Sequence, residues 1–283
     1  SQGSFEGRDC AYYYFHPEVI SYITAEIDAG TFSRPVFADI DNDGDLDLFF
    51  GGDIDLFFGH DYTHRGRGSV IFYKNDGDEE EPEWIPITNN YYGIDVGKRS
   101  SPTFADIDND GDLDLFVGSG NGIIYFYRND GTAEEPDWTF VTDNYAGIYV
   151  GGAAAPTFAD IDNDGDLDLF VGGNFYRNDG TPEEPSWTFV TDSYAGDILS
   201  FADIDNDGDL DLFVGNSGGT IYFYRNDGTA EEPEWTFVSD RYGGIDVGDF
   251  SAPTFVDIDN DGDLDLFVGN ADGGLYFYQH ISP

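Results

Sequence analysis

The sequence predicts an all-β chain, a five-bladed β-propeller of four-stranded antiparallel blades, and three observations predict it. The stretch "FADIDNDGDLDLFVG" opens at Phe104, recurs unchanged at Phe158 and Phe201, and returns with small changes at Phe37 and Phe255. The leading aspartates of these copies, Asp39, Asp106, Asp160, Asp203 and Asp257, stand 67, 54, 43 and 54 residues apart. Such intervals fall within or slightly above the roughly 40–50 residues of propeller-blade repeats. Between the copies the chain is rich in β-branched and aromatic residues, and nothing of helical period and length competes.

One unit, read from Ser101 to Gly151, gives the elements in order. "TFADI" is the first strand, and "LDLFVG" the second, across the acidic turn. "IIYFYR" is the third and "WTFVTD" the fourth. Asn129-Asp130-Gly131 separates the third from the fourth, with counterparts at Asn75, Asn178 and Asn226. These residues are expected to supply the positive φ angles of a hairpin turn. In the second strand Leu113, Leu115 and Val117 alternate with Phe116, so both faces are apolar. A sheet of that kind is covered on both sides, as a blade is by its neighbours.

The chain ends set the closure. The last unit supplies three strands and stops at Pro283, whereas Ala25 to Ile40 aligns with Gly243 to Ile258. The preceding "EVISYI", Glu18 to Ile23, then takes the fourth-strand slot of the last blade and closes the ring. Closure removes an exposed sheet edge. The expected organisation is one domain over 1–283, with blades at about 31–97, 98–151, 152–197, 198–248, and 249–283 completed by 1–30. A further strand-like stretch, Cys10 to Phe15, either caps the last blade or docks on a neighbouring molecule.

Composition bounds the partners. Fifty-eight acidic residues against 11 basic ones give a formal charge of −47. That excludes a nucleic-acid groove and contact with anionic membrane surfaces. No apolar run approaches the roughly 18 residues of a membrane helix. With 40% hydrophobic and 17% aromatic residues the chain is not a disordered polyanion. Cys10 is the single cysteine, so metal rather than an intrachain disulfide is the expected stabiliser. The sequence starts at Ser1, contains no methionine and shows no leader, so a mature, secreted, extracellular form is expected.

Each acidic turn reads D-x-D-x-D-G-D-x-D. Positions 1, 3 and 5 put three carboxylates around one centre, Gly at 6 permits a sharp turn, and position 7 can offer its carbonyl. Position 9 closes the cage from the next strand. Oxygen donors in this number suit Ca²⁺ better than Mg²⁺, and the lack of His and Cys disfavours zinc and copper. An EF-hand shares the first six positions. Its twelfth should be Glu, however, and here it is Phe50, Val117, Val171, Val214 or Val268, flanked by strands.

On these loops the chain resembles the FG-GAP/VCBS repeat β-propellers, a group that includes the integrin α-subunit head. The resemblance implies a D-x-D-x-D-G-x-x-D loop joining two strands of a blade and binding Ca²⁺, about five ions in all, one per blade. Carried over, the first site is Asp39, Asp41, Asp43 and Asp47 by side chain with Asp45 by backbone. The second is Asp106, Asp108, Asp110 and Asp114 with Asp112. The third is Asp160, Asp162, Asp164 and Asp168 with Asp166, and the fourth Asp203, Asp205, Asp207 and Asp211 with Asp209. Asp257, Asp259, Asp261 and Asp265 with Asp263 make the fifth. Seven blades are usual in that group, so five is a departure.

Outside the loops the signals are weaker. Of the four histidines, His16, His60, His64 and His280, only His60 and His64 are close, in an enlarged surface loop of the first unit with no nucleophile or oxyanion motif beside it. Arg65, Arg67, Lys74, Lys98 and Arg99 concentrate positive charge in that unit and could dock an acidic face of another copy. Trp84, Trp138, Trp187 and Trp235 open the fourth strands and are followed by Tyr92, Tyr145, Tyr194 and Tyr242. Such rings fill the space between blades or form sugar-stacking platforms. The expectation is a non-enzymatic, calcium-stabilised structural or adhesion module whose partners are other copies of itself, or a surface protein or glycan. The alternative is a lectin-type propeller.

Overall fold

The computed structural model describes residues 31–53, 68–77, 82–181, 184–196 and 198–280. They form five antiparallel sheets arranged in a ring, a five-bladed β-propeller. The first blade is β1 (Thr31–Ala38), β2 (Asp47–Asp53), β3 (Ile71–Asn75) and β4 (Trp84–Thr88). The second is β5 (Ser101–Ala105), β6 (Asp114–Gly118), β7 (Ile124–Asn129) and β8 (Trp138–Thr142). The third comprises β9 (Thr157–Ala159), β10 (Asp168–Val171), β11 (Asn174–Asn178) and β12 (Trp187–Thr191). The fourth comprises β13 (Ile198–Ala202), β14 (Asp211–Gly215), β15 (Ile221–Asn226) and β16 (Trp235–Ser239). In the fifth, β17 (Ala252–Val256), β18 (Asp265–Gly269) and β19 (Leu275–Tyr278) are described. The proposed completing strand at 18–23, the 10–15 stretch and the loop carrying His60 and His64 lie outside the described residues. No described helix is long and apolar enough to cross a membrane.

Each sheet is ordered as its strands follow in sequence, so every blade is a meander. The first strands, β1, β5, β9, β13 and β17, meet around the axis and line a cavity of about 300 Å³. Apolar burial is divided among five clusters, each shared by two adjacent blades. A Phe–Phe pair spans every interface. Phe49 meets Phe104 at 4.6 Å, Phe116 meets Phe158 at 4.6 Å, and Phe170 meets Phe201 at 4.7 Å. Phe213 meets Phe255 at 4.2 Å and Phe267 meets Phe37 at 4.5 Å. The second-strand phenylalanines of these pairs are wholly buried. Their tilted geometry adds roughly 0.5–1.5 kcal/mol each beyond area burial.

The last of those pairs joins the fifth blade to the first, so the described residues close the ring themselves. At this seam the Phe32 and Ser33 N–H groups donate to the Ala271 and Asn270 carbonyls, both at 3.0 Å. The Ser33 hydroxyl donates to Gly274 O at 3.0 Å and accepts the Asn270 N–H at 3.0 Å. Ser100 and Ser251 make equivalent bridges at two covalently linked interfaces. Gly269 shows how tight the seam is. A Cβ there would lie 2.2 Å from the Ser33 carbonyl oxygen. Gly269→Ala is therefore expected to cost about 1–3 kcal/mol through overpacking. Thermal unfolding checks this, and an unchanged melting temperature would mean that the seam carries no such contact.

Two expectations about connections need correction. Asn129-Asp130-Gly131 does not use positive φ, since none of the three appears among the left-handed residues. Instead the buried Asn129 side chain accepts the N–H groups of Gly131 at 3.1 Å and Asp137 at 2.9 Å, pinning a longer loop. Asn75, Asn178 and Asn226 do the same. Left-handed glycines do make a hairpin in the third blade, where Gly172 (φ 57) and Gly173 (φ 76) join β10 to β11 in two residues. That short turn, with a shorter link before β13, accounts for the 43-residue interval.

The second correction concerns the tyrosines. Tyr145 and Tyr242 are buried in single 3₁₀ turns after the fourth strands, and in the first blade the equivalent residue is Tyr91, not Tyr92. Tyr92 is 60% exposed. The tryptophans fill space between blades: Trp138 Nε1 donates to Tyr91 Oη at 3.1 Å, and Trp187 and Trp235 lie edge-on to Tyr145 and Tyr194.

Candidate metal centres

Each acidic loop connects the first strand of a blade to the second, so a loop's two ends are held by adjacent, hydrogen-bonded strands. In the first loop Asp39 accepts the Asp43 N–H on Oδ1 and the Gly44 N–H on Oδ2, both at 3.1 Å. Asp43 Oδ1 accepts the Asp45 N–H at 3.1 Å. Asn42 (φ 54) and Gly44 (φ 97) take left-handed conformations that curl the backbone around its own carboxylates. All three hydrogen bonds recur in the other four loops, starting from Asp106, Asp160, Asp203 and Asp257.

The turn brings positions 1, 3 and 5 together as the spacing predicts. One carboxylate oxygen each from Asp39, Asp41 and Asp43 lies within 4.8 Å of the others. The same holds for Asp106, Asp108 and Asp110, for Asp160, Asp162 and Asp164, for Asp203, Asp205 and Asp207, and for Asp257, Asp259 and Asp261. The seventh residues, Asp45, Asp112, Asp166, Asp209 and Asp263, donate their N–H groups to the fifth-position carboxylates.

The ninth position is fully buried and stands apart from that half-exposed trio. Asp47, Asp114, Asp168, Asp211 and Asp265 open the second strands at 1–2% exposure. In each, Oδ1 accepts a backbone N–H at 2.7–2.8 Å, from Asn75, Asn129, Asn178, Asn226 and His280 respectively. In each, Oδ2 is buried with no hydrogen-bond partner. Burial pushes all five carboxyls up to about 7, the backbone N–H offsets only part of this, and the neighbouring loop carboxylates push further. An orphaned, buried carboxylate oxygen beside three converging carboxylates is costly unless a cation satisfies it. The donor set fits a hard divalent ion.

Sequence reading missed three parts of this arrangement. Asn75 and its counterparts read as turn residues, yet their backbones hold the ninth aspartate. Nothing in the spacing marked His280, which is buried with Nδ1 at 3.4 Å from Asp263 Oδ2. Lys74, first read as part of a surface patch, places its ammonium between Asp41 Oδ2 and Asp43 Oδ2, the latter at 3.1 Å.

Comparison with known proteins agrees with this geometry. A family model described as FG-GAP-like repeat matches residues 52–117, 106–171 and 203–268. No curated protein matches the chain. Among solved structures, one described as the structure of RS223-Beta-xylosidase superposes with a TM-score of 0.52. It is 12% identical and the match covers 89% of this chain and 92% of that one, which is a likeness of fold.

Proposed function

The chain belongs to the FG-GAP-like repeat family, and from that premise we propose that it is an extracellular, calcium-loaded propeller, a structural or adhesion module that assembles with copies of itself through its rim. Its ligands are the side chains at positions 1, 3, 5 and 9 of each loop, with the position-7 carbonyl. The ion's part is electrostatic, offsetting carboxylates that the fold crowds together.

The observation that carries the assembly reading is the outer edge of the blades. Among the described residues the fourth strands, β4, β8, β12 and β16, are the outer edges of their sheets. On them Ile87, Phe140, Phe189 and Phe237 are 53–55% exposed, flanked by Val141, Val190 and Val238 at 47–49%. Soluble proteins usually blunt such edges with charge, proline or bulges, and Pro86 in β4 and a register shift in each third-to-fourth strand pair do so here in part, but the side chains stay apolar. Here apolar edges repeat around the disc, as a module with several equivalent docking edges requires. The high acidity opposes association until cations screen it, which couples assembly to calcium.

We read the module as non-enzymatic. The described lining of the axial cavity is proline, apolar and hydroxyl side chains, Phe158 and Phe201 among them, with Arg34, whereas glycoside hydrolysis needs a pair of carboxylates. The lectin reading has one observation in its favour. Tyr127 with Phe140, Tyr176 with Phe189 and Tyr224 with Phe237 repeat a steeply inclined aromatic pair at 5.3–5.5 Å, a ring arrangement that a sugar could stack on.

Electron microscopy of the purified protein in calcium tests the proposal, with ordered polymers or layers as the expected result. The triple variant Phe140→Lys, Phe189→Lys, Phe237→Lys should disperse them into single rings without lowering calcium uptake. Dispersed wild-type rings would sink the assembly reading. A glycan-array signal lost in the same variant would transfer it to the lectin.

A further inference from the structure

The five loops share one motif but differ in what the third strand offers them. The residue after the third-strand "YFY" or its equivalent is Lys74 in the first blade, Arg128, Arg177 and Arg225 in the next three, and Gln279 in the last. All four basic residues are followed by Asn-Asp-Gly, so each has the same aspartate two residues on. The three arginines turn to that aspartate: Nε of Arg128, Arg177 and Arg225 lies 2.7 Å from Asp130, Asp179 and Asp227. Lys74 turns the other way, into its loop, bridging Asp41 and Asp43. Gln279 also reaches its loop, donating to Asp259 Oδ2 at 2.8 Å, but carries no charge.

The cross-strand partner explains the divergence. Arg128, Arg177 and Arg225 stand opposite Thr139, Thr188 and Thr236. Those hydroxyls stand near Asp130, Asp179 and Asp227 and, with the guanidinium, hold each carboxyl below its ordinary range. Lys74 stands opposite Ile85, which has no hydroxyl to fix Asp76. A compact ammonium on a flexible stem then goes to the denser negative charge, two carboxylates of the loop.

We infer that Lys74 is the resident cation of the first loop, making that loop a weak, partly metal-independent site among otherwise strong ones. Resting on the calcium reading above, this adds that loading is unequal around the ring. Asp47 Oδ2, buried and without a partner, still points to a metal in this loop, but the ion must displace the ammonium. Displacement breaks two ion pairs and leaves a positive charge close to a divalent one, so affinity should fall by about tenfold or more relative to the arginine blades.

Two measurements on the full chain test this, using Lys74→Gln, which copies Gln279, and Arg128→Gln as control. In excess chelator Lys74→Gln should melt a few degrees, about 3 °C, below wild type, and Arg128→Gln should not differ from it. In a calcium titration followed by calorimetry or native mass spectrometry, wild type should show one site at least about tenfold weaker than the rest. Lys74→Gln should move that site into the strong class. Equal melting of Lys74→Gln and wild type in chelator, or unchanged site classes, overturns the inference. If no variant takes up calcium while the chelator difference persists, the calcium reading fails and the assignment of Lys74 stands.

Discussion

Stripping divalent ions at pH 8 is expected to lower the melting temperature of this propeller by tens of degrees, with calcium restoring it and magnesium restoring little. Each loop leaves a buried carboxylate oxygen unpartnered beside three converging carboxylates, and this occurs five times. A site held at one hundred times its dissociation constant contributes about 2.7 kcal/mol to the folded state. For a chain of this size that is roughly 5–10 °C per site. Calorimetry with and without chelator checks it, and indifference to chelator would remove calcium from the account of stability.

A sharper expectation concerns Asp114→Asn, whose effect should change sign with metal. The asparagine can still accept the Asn129 N–H but no longer brings a charge into a site 1% exposed. In calcium the variant loses a ligand and should be less stable than wild type. In chelator at pH 8 it should be more stable, because an unpaired charge has been taken out of the interior. The pH dependence follows from the same group. Burial holds the Asp114 carboxyl at about 7, above its ordinary 3.8. Between those values the folded chain binds a proton that the unfolded chain does not. Metal-free stability contributed by this group therefore rises as pH falls from about 8 towards 4, and is lost as pH rises through 7. Metal-loaded protein should run the opposite way, since protons compete for the ligands. Melting curves over that range, with and without chelator, should cross; parallel curves would count against the buried carboxylate as the metal's partner.

The parts legible in the sequence were those written as spacing. Alternate aspartates with a glycine at the sixth position specify a turn whatever surrounds it, and Asp39 to Asp43 and their copies lie as that spacing requires. Strand order was legible because each unit repeats its apolar segments in one order. What was not legible depends on which residue stands opposite which. The pairing of Phe116 with Phe158 crosses two blades, and the threonines opposite the arginines are brought alongside only by strand register. Tyr91 and Tyr92 are adjacent and chemically alike. Only the 3₁₀ turn, which buries the first and leaves the second exposed, tells them apart. Nothing in the chemistry of Phe140 and its copies tells that they are exposed, since a phenylalanine in a strand is ordinarily core.

The division of the interior into five shared clusters has a mechanical consequence. A repeat array with free ends frays from them, since a terminal unit has one neighbour to hold it. In this ring every blade has two neighbours, and the joint between Phe267 and Phe37 is packed like the other four although β19 and β1 are the last and first described strands. Losing one blade therefore costs packing on both of its sides, so the disc should open in one concerted event rather than fray blade by blade.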